Sequence, residues 1–199
     1  MKVLIIGASG TIGSNVADAL SSEHEIIRAN YNSGDVQVDI GNPESISAMF
    51  TKIGNVDAVI STAGLANFAP LDALQDSDYQ LALNNKLMGQ VNLVRIGKAF
   101  INQEGSITLT SGILSRQPMP GSTAISMANG ALESFAKAAA LETENFRVNI
   151  VAPAFVKETM EMMGMDSAYG VSAKDTAKAY VAAVTGSDHG KTLDVPDYV

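Results

Sequence analysis

Short runs of apolar residues alternate with helical patterns along almost the whole chain. The first run, Val3, Leu4, Ile5 and Ile6, is continuous and partly β-branched, which is typical of a strand that a parallel sheet buries on both faces. Further strands are predicted over residues 25–29, 36–40, 56–60, 106–110, 146–151 and 191–195. The segment 36–40 differs from the others because its apolar and polar residues alternate.

Helical patterns fill the segments between these runs. The first begins near Thr11 and repeats apolar residues at Ile12, Val16 and Leu20. The others are predicted over residues 43–53, 78–102, 123–143, 158–164 and 173–185. Residues that suit a helix N-terminus precede three of them: Asn42 before Pro43, Ser77 with Gln80, and Ser172 with Asp175.

Strands that alternate with helices indicate βαβ crossovers, and hence a parallel sheet with both faces covered. We therefore expect an α/β fold, a single Rossmann-like doubly wound parallel sheet of about seven strands with helices on both faces. A chain of 199 residues fits one domain, spanning residues 1–199. Ligands of open α/β sheets bind at the carboxyl ends of the strands, so candidate site residues belong at that rim.

Three evenly spaced glycines, Gly7, Gly10 and Gly13, follow the first strand and open the first helix. Glycine lets backbone N–H groups approach a phosphate closely, and the helix points its positive end at the same place. A strand, a glycine turn and a helix in this order predict a dinucleotide site. The alternative is a tight turn that binds nothing.

Composition excludes several other functions. The formal net charge of −8 argues against a nucleic-acid partner, which needs a basic face. The chain has no cysteine and only two histidines, His24 and His189, far apart in the sequence, so we expect no metal site. The apolar start is interpreted as a strand and not as a signal peptide, and no stretch is long enough for a membrane span. We expect a cytoplasmic protein without a membrane partner.

The order of the motifs resembles the short-chain dehydrogenase/reductase family over nearly the whole chain. The matching residues are the three glycines, Asp39-Ile40, Thr62-Ala63-Gly64 in place of Asn-Ala-Gly, Ser111, Arg147-Val148-Asn149, Pro153-Ala154 and Thr159. The resemblance implies an oxidoreductase that transfers hydride between NAD(P) and a small carbonyl or alcohol substrate. It also implies a homo-oligomer, since the family often pairs subunits through the two long helices. Small residues such as Gly89, Gly97, Ala124, Ala128 and Ala131 would permit that pairing.

The resemblance and the predicted rim together imply a set of nucleotide-binding residues: Gly7, Ser9, Gly10, Thr11, Ile12, Gly13, Asn30, Asn32, Ser33, Asp39, Ile40, Thr62, Ala63, Gly64, Pro153 and Thr159. The loop after the second strand, residues 30–33, contains no acidic residue, and Arg28 is close by in the sequence. NAD-preferring proteins usually carry an acid there for the ribose hydroxyls. We therefore expect NADP(H) in preference to NAD(H); the alternative is a polar loop without preference.

The catalytic centre departs from the family. The family usually has a catalytic Tyr-x-x-x-Lys pair. This chain has Ile125 and Asn129 at those two positions, and isoleucine cannot carry a proton. Lys86 takes a position in the preceding helix where the family usually has Asn. We therefore predict Ser111, which would orient a substrate carbonyl, and Lys86 as catalytic residues, with Asn129 holding the Lys86 ammonium. The alternative for Ser111 is a serine that caps a turn, and for Lys86 a lysine on an exposed helix face.

Two other functions stay open at this point. The chain would be an NADP(H)-binding sensor with weak or no turnover if the loss of Tyr and Lys had abolished catalysis. A scaffold that assembles through its helices is a third alternative. Methionines 160, 162, 163 and 165 suggest an adaptable apolar lid beside the site, although a short helix also packs with such residues.

Overall fold

A seven-stranded parallel sheet runs through the protein in the computed structural model, which describes all 199 residues. Its strands are β1 Lys2–Ile6, β2 Glu25–Asn30, β3 Val36–Gln37, β4 Val56–Ser61, β5 Ile101–Thr110, β6 Phe146–Ala152 and β7 Thr192–Asp194. Its helices are α1 Thr11–Leu20, α2 Pro43–Ile53, α3 Asp76–Leu81, α4 Met88–Gly97, α5 Thr123–Ala140, α6 Lys157–Met162 and α7 Ala173–Thr185. The predicted fold class is confirmed.

The strand order explains where a ligand can bind. The strands lie in the order β3-β2-β1-β4-β5-β6-β7, so the chain moves outward from β1 to β3 and then returns to the other side of β1. The connection that follows β1 therefore runs toward one edge of the sheet, and the connection that follows β4 runs toward the other edge. A crevice opens between these two connections at the carboxyl ends of β1 and β4.

The two faces of the sheet bury separate apolar layers. Leu4 and Ile6 of β1 pack with residues of α2, α4 and α5 on one face. Val3 and Ile5 pack with α1 and α7 on the other face. Because successive strand residues point to opposite faces, a strand covered on both sides must be apolar at every position. This requirement is the physical reason for the continuous run at the start of the chain.

The predicted strand over residues 36–40 is wrong beyond its second residue. Val36, Val38 and Ile40 are all buried, as the alternation indicates. The ladder nevertheless ends at Gln37, because its partner strand β2 ends at Asn30, the residue that pairs with Gln37. The Val38 N–H still donates to the Asn30 carbonyl at 3.0 Å, whereas the Asp39 N–H donates to the Ser45 hydroxyl at 2.9 Å in the first turn of α2.

The predicted helix over residues 78–102 is divided. The structure has α3, then a π-helical segment over Ala82–Leu87, then α4, which ends at Gly97. The helix also begins earlier than predicted, with a capping box between Gln75 and Asp78 in place of Ser77 and Gln80. The chain leaves α4 early because Ile101 pairs with Val56 of β4. π-Helical turns often mark functional sites.

The small residues of the long helices pack within the chain. Ala124 and Ala128 of α5 form a buried cluster with Ala82, and a Cβ on Gly97 would lie 2.8 Å from the Phe50 ring. These residues therefore close gaps between elements of one subunit and carry no argument for subunit pairing. Homo-oligomerisation stays a prediction from the resemblance.

No helix combines the length and the hydrophobicity needed to cross a membrane. Groups of three or more His, Cys, Asp or Glu side chains suited to hold a metal ion are absent from the structure.

Phe50 tests the α2 side of the core. Its side chain is fully buried and stacks on Phe100 with 5.3 Å between ring centroids. We expect Phe50→Ala to lower the free energy of unfolding by about 3–5 kcal/mol, because it removes a large buried side chain and leaves a cavity. Urea unfolding measures this change. Leu141→Ala, at an 88% exposed position, should change it by less than about 0.5 kcal/mol, and a similar loss in both variants would contradict the prediction.

Candidate active site

Two adjoining cavities open at the carboxyl ends of the strands. A groove of about 590 Å³ runs over the ends of β1, β2 and β4, and a pocket of about 350 Å³ continues it toward β5 and β6. Thr62 and Gly64, just after β4, line both cavities. A ligand with two parts can therefore extend from one cavity into the other.

The glycine turn brings α1 against the end of β1. A Cβ on Gly13 would lie only 2.1 Å from the Gly7 carbonyl oxygen, so no other residue fits there without a backbone shift. Helix α1 starts at Thr11 with no side-chain cap and no acidic residue in its first turn. Its first N–H groups thus face the groove beside Gly7, Ser9 and Gly10, and this arrangement fits a pyrophosphate.

Two side chains brace this turn. Asn30, at the end of β2, accepts a hydrogen bond from the Ser9 N–H at 2.9 Å. The Thr62 hydroxyl donates to the Ile6 carbonyl at 3.0 Å and also lies 3.2 Å from the Gly7 carbonyl. Thr62, at the position where the family has asparagine, therefore joins the end of β4 to the end of β1 and holds the glycine turn in place.

Most of the predicted nucleotide residues lie at these cavities. The groove is lined by Gly7, Ser9, Gly10, Asn30, Asp39, Ile40, Thr62, Ala63 and Gly64. The pocket is lined by Ile12, Pro153 and Thr159 together with the two predicted catalytic residues, Lys86 and Ser111. Asp39 is held in place because its carboxylate accepts the Gly41 N–H at 2.9 Å.

Four of the predicted residues line neither cavity: Thr11, Gly13, Asn32 and Ser33. Gly13 faces Gly7 inside the turn, and Thr11 begins α1. Asn32 and Ser33 are exposed in the turn after β2. There the chain folds back on β2, where the Asp35 N–H donates to the Arg28 carbonyl at 2.8 Å.

Lys86 is buried in the pocket, which contradicts the alternative of a lysine on an exposed helix face. Only 7% of the residue is exposed, and its ammonium nitrogen lies 3.5 Å from the Ser111 carbonyl oxygen. Burial lowers the pKa of Lys86 to about 8, because an apolar environment disfavours the charged form. Lys86 belongs to the π-helical segment. The Gln90 side-chain amide donates both to the Lys86 backbone carbonyl and to the Thr110 backbone carbonyl at the end of β5.

The helix α5 places Ile125 and Asn129 at the same pocket. The Asn129 amide donates to the Gly112 carbonyl at 3.5 Å, while its buried side-chain oxygen has no hydrogen-bond partner. A buried acceptor without a partner is costly. Asn129 thus offers an acceptor at the pocket that a donor on a ligand or on Lys86 can satisfy.

Ser111 has a partner that sequence reasoning missed. Its hydroxyl donates to the Glu133 carboxylate at 3.0 Å. The available signal was the spacing on α5: Ile125, Asn129 and Glu133 follow at four-residue intervals and so share one helix face. The sequence gives no reason to prefer this contact to an exposed glutamate, because Ser111 lies on another element.

Most of the remaining pocket wall is apolar. Its walls include Phe68, Met119 and Phe155, and three of the four methionines predicted as a lid, Met160, Met163 and Met165. Met162 is 71% exposed and lies outside the pocket. Few water molecules screen the charge of a lysine that such walls enclose. Its ammonium therefore acts more strongly on a bound ligand than an exposed ammonium would.

A groove at the switch point of a parallel sheet, continued by a largely apolar pocket with one ionisable side chain, Lys86, fits a dinucleotide-dependent oxidoreductase. Residues 8–192 match the family model described as Enoyl-(Acyl carrier protein) reductase. Versicolorin reductase of Emericella nidulans is 25% identical, with 79% of this chain and 69% of that protein covered. A short-chain dehydrogenase/reductase of Stachybotrys chlorohalonatus is 28% identical, with 76% and 72% covered.

Solved structures agree over the whole length. The crystal structure of the protein lin1944 of Listeria innocua matches with a TM-score of 0.94 and 40% identity, covering 98% of this chain and 99% of that one. A small-chain dehydrogenase in complex with NADPH matches with a TM-score of 0.87 and 28% identity, with 98% and 95% covered. This chain belongs to the short-chain dehydrogenase/reductase family. It is an NAD(P)-dependent oxidoreductase, and the inactive-sensor alternative is not favoured.

The buried position of Lys86 predicts a pH-dependent stability. Its pKa is about 8 in the folded state against a usual 10.5, so the unfolded chain binds more protons between these values. The burial cost, about 3 kcal/mol, is fully present below the folded pKa and is relieved as pH rises toward the unfolded value. We expect Lys86→Met to be more stable than the wild type near pH 7 and to lose that advantage near pH 10.

Urea unfolding of both proteins across this pH range measures the difference. Lys137→Met, at an exposed position of α5, is the matched control and should show no such pH dependence. A constant difference between Lys86→Met and the wild type would show that the Lys86 pKa is not shifted by folding.

Proposed function

We propose that the protein interconverts a small carbonyl compound and its alcohol in the apolar pocket, with Lys86 as the ionisable group of the reaction and NADP(H) as the preferred nucleotide. The observation that carries this proposal is the buried Lys86 ammonium, 3.5 Å from the Ser111 carbonyl, in the pocket that Ile125 and Asn129 also line. The family's Tyr and Lys are absent, but a cationic group is present at the pocket from the neighbouring helix.

The groove would hold the nucleotide through the glycine turn and the first N–H groups of α1, with Asp39 and Ile40 beside the adenine end. Pro153 and Thr159, which line the pocket, would lie beside the nicotinamide end. The bound nicotinamide supplies the hydride chemistry. Because Thr62 and Gly64 line both cavities, the nicotinamide end would enter the pocket that contains Lys86.

Lys86 combines two properties of a proton donor. Its pKa of about 8 lies near physiological pH, where a general acid exchanges protons most effectively. Its ammonium also provides a positive charge in an enclosed apolar site, where developing negative charge on a carbonyl oxygen is strongly stabilised. The unpartnered oxygen of Asn129 would accept a hydrogen bond from this ammonium, as predicted from the exchange of Lys and Asn between the helices.

The preference for NADP(H) is supported by the chemistry at the end of β2. Asn30 is neutral, and its oxygen is engaged with the Ser9 N–H. Tyr31 completes this part of the groove, whose only acidic residue is Asp39. The Asp39 carboxylate accepts the Gly41 N–H. No acidic residue lines the groove at the end of β2, where it would repel a 2′-phosphate, and a 28% identical relative was crystallised with NADPH.

The proposed reaction is tested by following NADPH oxidation with a panel of small quinones, ketones and aldehydes. We expect turnover by the wild type and a fall in kcat/KM of about 10²-fold or more in Lys86→Met, because the general acid and its charge are lost. Ser111→Ala should also lower kcat/KM, because the hydroxyl group that forms as the carbonyl is reduced loses a hydrogen-bonding partner. Lys137→Met is the matched control for the loss of a lysine and should retain wild-type activity. A Lys86→Met protein with full activity would refute the role of Lys86.

The nucleotide preference is tested by Asn30→Asp. This change preserves the acceptor for the Ser9 N–H but places a negative charge beside the 2′-phosphate, so we expect NADPH affinity to fall about 10-fold or more, while NADH affinity is retained. Titration of nicotinamide fluorescence measures both. Asn55→Asp adds the same charge at an exposed site before β4, away from the groove, and should leave both affinities unchanged. Equal weakening of NADPH and NADH by Asn30→Asp would be evidence against a 2′-phosphate at this position.

A further inference from the structure

A buried carboxylate lies behind the pocket and has no place in the reaction described so far. Glu133 of α5 is 8% exposed. Three donors surround it: the Ser111 hydroxyl at 3.0 Å, the Ser115 hydroxyl at 2.6 Å and the Arg116 Nε at 3.4 Å. A buried acid with this many donors is a fixed acceptor, because each of its contacts limits its rotation.

The direction of the hydrogen bond to Ser111 follows from chemistry. A carboxylate only accepts hydrogen bonds, so the single hydrogen of the Ser111 hydroxyl points at Glu133. The Ser111 oxygen keeps its lone pairs for other partners. Ser111 therefore presents an acceptor to the pocket, whereas orientation of a substrate carbonyl, the role predicted from the sequence, requires a donor.

The position of Glu133 is secured by a chain of contacts that reaches β7. Arg116 is also paired with Asp194 at the end of β7, with 2.7 Å between Nη1 and Oδ2, and this hydrogen bond raises the pKa of Arg116 above its usual value. Ser115 and Arg116 belong to the loop after β5, and two of its residues, Ile113 and Leu114, line the pocket. Glu133 thus joins the Ser111 hydroxyl to one wall of the pocket.

We propose that Glu133 is a positioning residue that holds Ser111 as a hydrogen-bond acceptor, so that the pocket recognises the hydroxyl group of an alcohol substrate through Ser111. The carbonyl form of the same substrate is recognised by a different group, the Lys86 ammonium, which is a donor. The two forms of one substrate oxygen are therefore bound by separate side chains. This inference rests on the proposed function, since it assigns partners to the alcohol and to the carbonyl compound of that reaction.

A double-mutant cycle tests whether Glu133 acts through Ser111. We expect Glu133→Ala to lower kcat for alcohol oxidation about 10-fold, because the serine hydroxyl is then free to rotate. In a Ser111→Ala background the same change should cause almost no further loss, because nothing is left to orient. A merely structural role of Glu133 would instead give losses that multiply. Glu142→Ala removes an exposed glutamate just after α5 and is the matched control.

Glu133→Gln separates orientation from the ion pair with Arg116. Its amide oxygen still accepts the Ser111 hydrogen but carries no charge, so we expect kcat within about threefold of the wild type together with a lower melting temperature. Because this variant is nearly isosteric, it tests the inference even if Glu133→Ala does not fold. A folded Glu133→Gln protein with kcat as low as that of Ser111→Ala would overturn the assignment.

A binding measurement tests the inference without turnover. Calorimetry gives the affinity of the alcohol for the protein–NADPH complex and of the ketone for the protein–NADP+ complex, neither of which reacts. In Glu133→Ala we expect the alcohol to bind about 5–10-fold more weakly and the ketone at least as tightly as in the wild type, because the released serine hydroxyl is able to donate.

The outcomes distinguish the inference from the proposed function. If the wild type shows turnover but the losses in the cycle multiply, or if alcohol and ketone weaken equally in Glu133→Ala, the inference is wrong and the proposed function stands. If the wild type binds NADPH but neither binds nor converts any compound of the panel, the proposed function is wrong and the inference fails with it.

Discussion

The contact between the first turn of α1 and the end of β1 is the constraint on which the site depends. A Cβ at Gly13 would lie 2.1 Å from the Gly7 carbonyl oxygen, so the helix starts directly against the strand. Thr62 joins the same point to β4, and Asn30 joins it to β2. Because contacts from three strands meet at the helix N-terminus, the glycine turn is already formed without a nucleotide, and a site formed in advance lowers the entropic cost of binding.

The family's Tyr and Lys are absent from α5, but a lysine reaches the same pocket from the neighbouring helical segment. Lys86 lies on a π-helical segment. The Gln90 side chain connects the backbone of this segment to the end of β5. Lys86 lines the same pocket as Ile125 and Asn129 of α5. The positive charge of the site therefore comes from a different element than in the family's usual arrangement. Burial that lowers the pKa of Lys86 to about 8 costs stability, and the same burial gives the group a proton affinity that suits the proposed role as proton donor.

The direction in which the Ser111 hydroxyl donates its hydrogen bond is set by residues that do not line the pocket. Glu133, Ser115, Arg116 and Asp194 form one connected set that extends from the pocket wall to β7. Ser111 and Glu133 form the buried end of this set, where a polar group without a partner is costly, so their hydrogen bond holds the Ser111 hydrogen in one direction. The surrounding walls, rich in Met and Phe, are suited to the small carbonyl and alcohol compounds of the proposed reaction.

The local sequence was sufficient for the elements whose signals are local. The apolar run at β1, the glycine turn, and the caps at Asn42 and Ser172 predicted their strands and helices because each depends on neighbouring residues. The end of β3 and the start of β5 were missed, because both depend on partner strands: β2 ends at Asn30, and Val56 of β4 pairs with Ile101. The division of the helix at Ala82–Leu87 was also missed. At the candidate site, the order of motifs along the chain was sufficient to predict that Lys86, Ser111 and most of the predicted nucleotide residues lie at the carboxyl ends of the strands. Only the tertiary structure brought Glu133 to Ser111 and buried Lys86, since a hydrogen bond between elements and a shifted pKa both depend on distances that the order of residues does not contain.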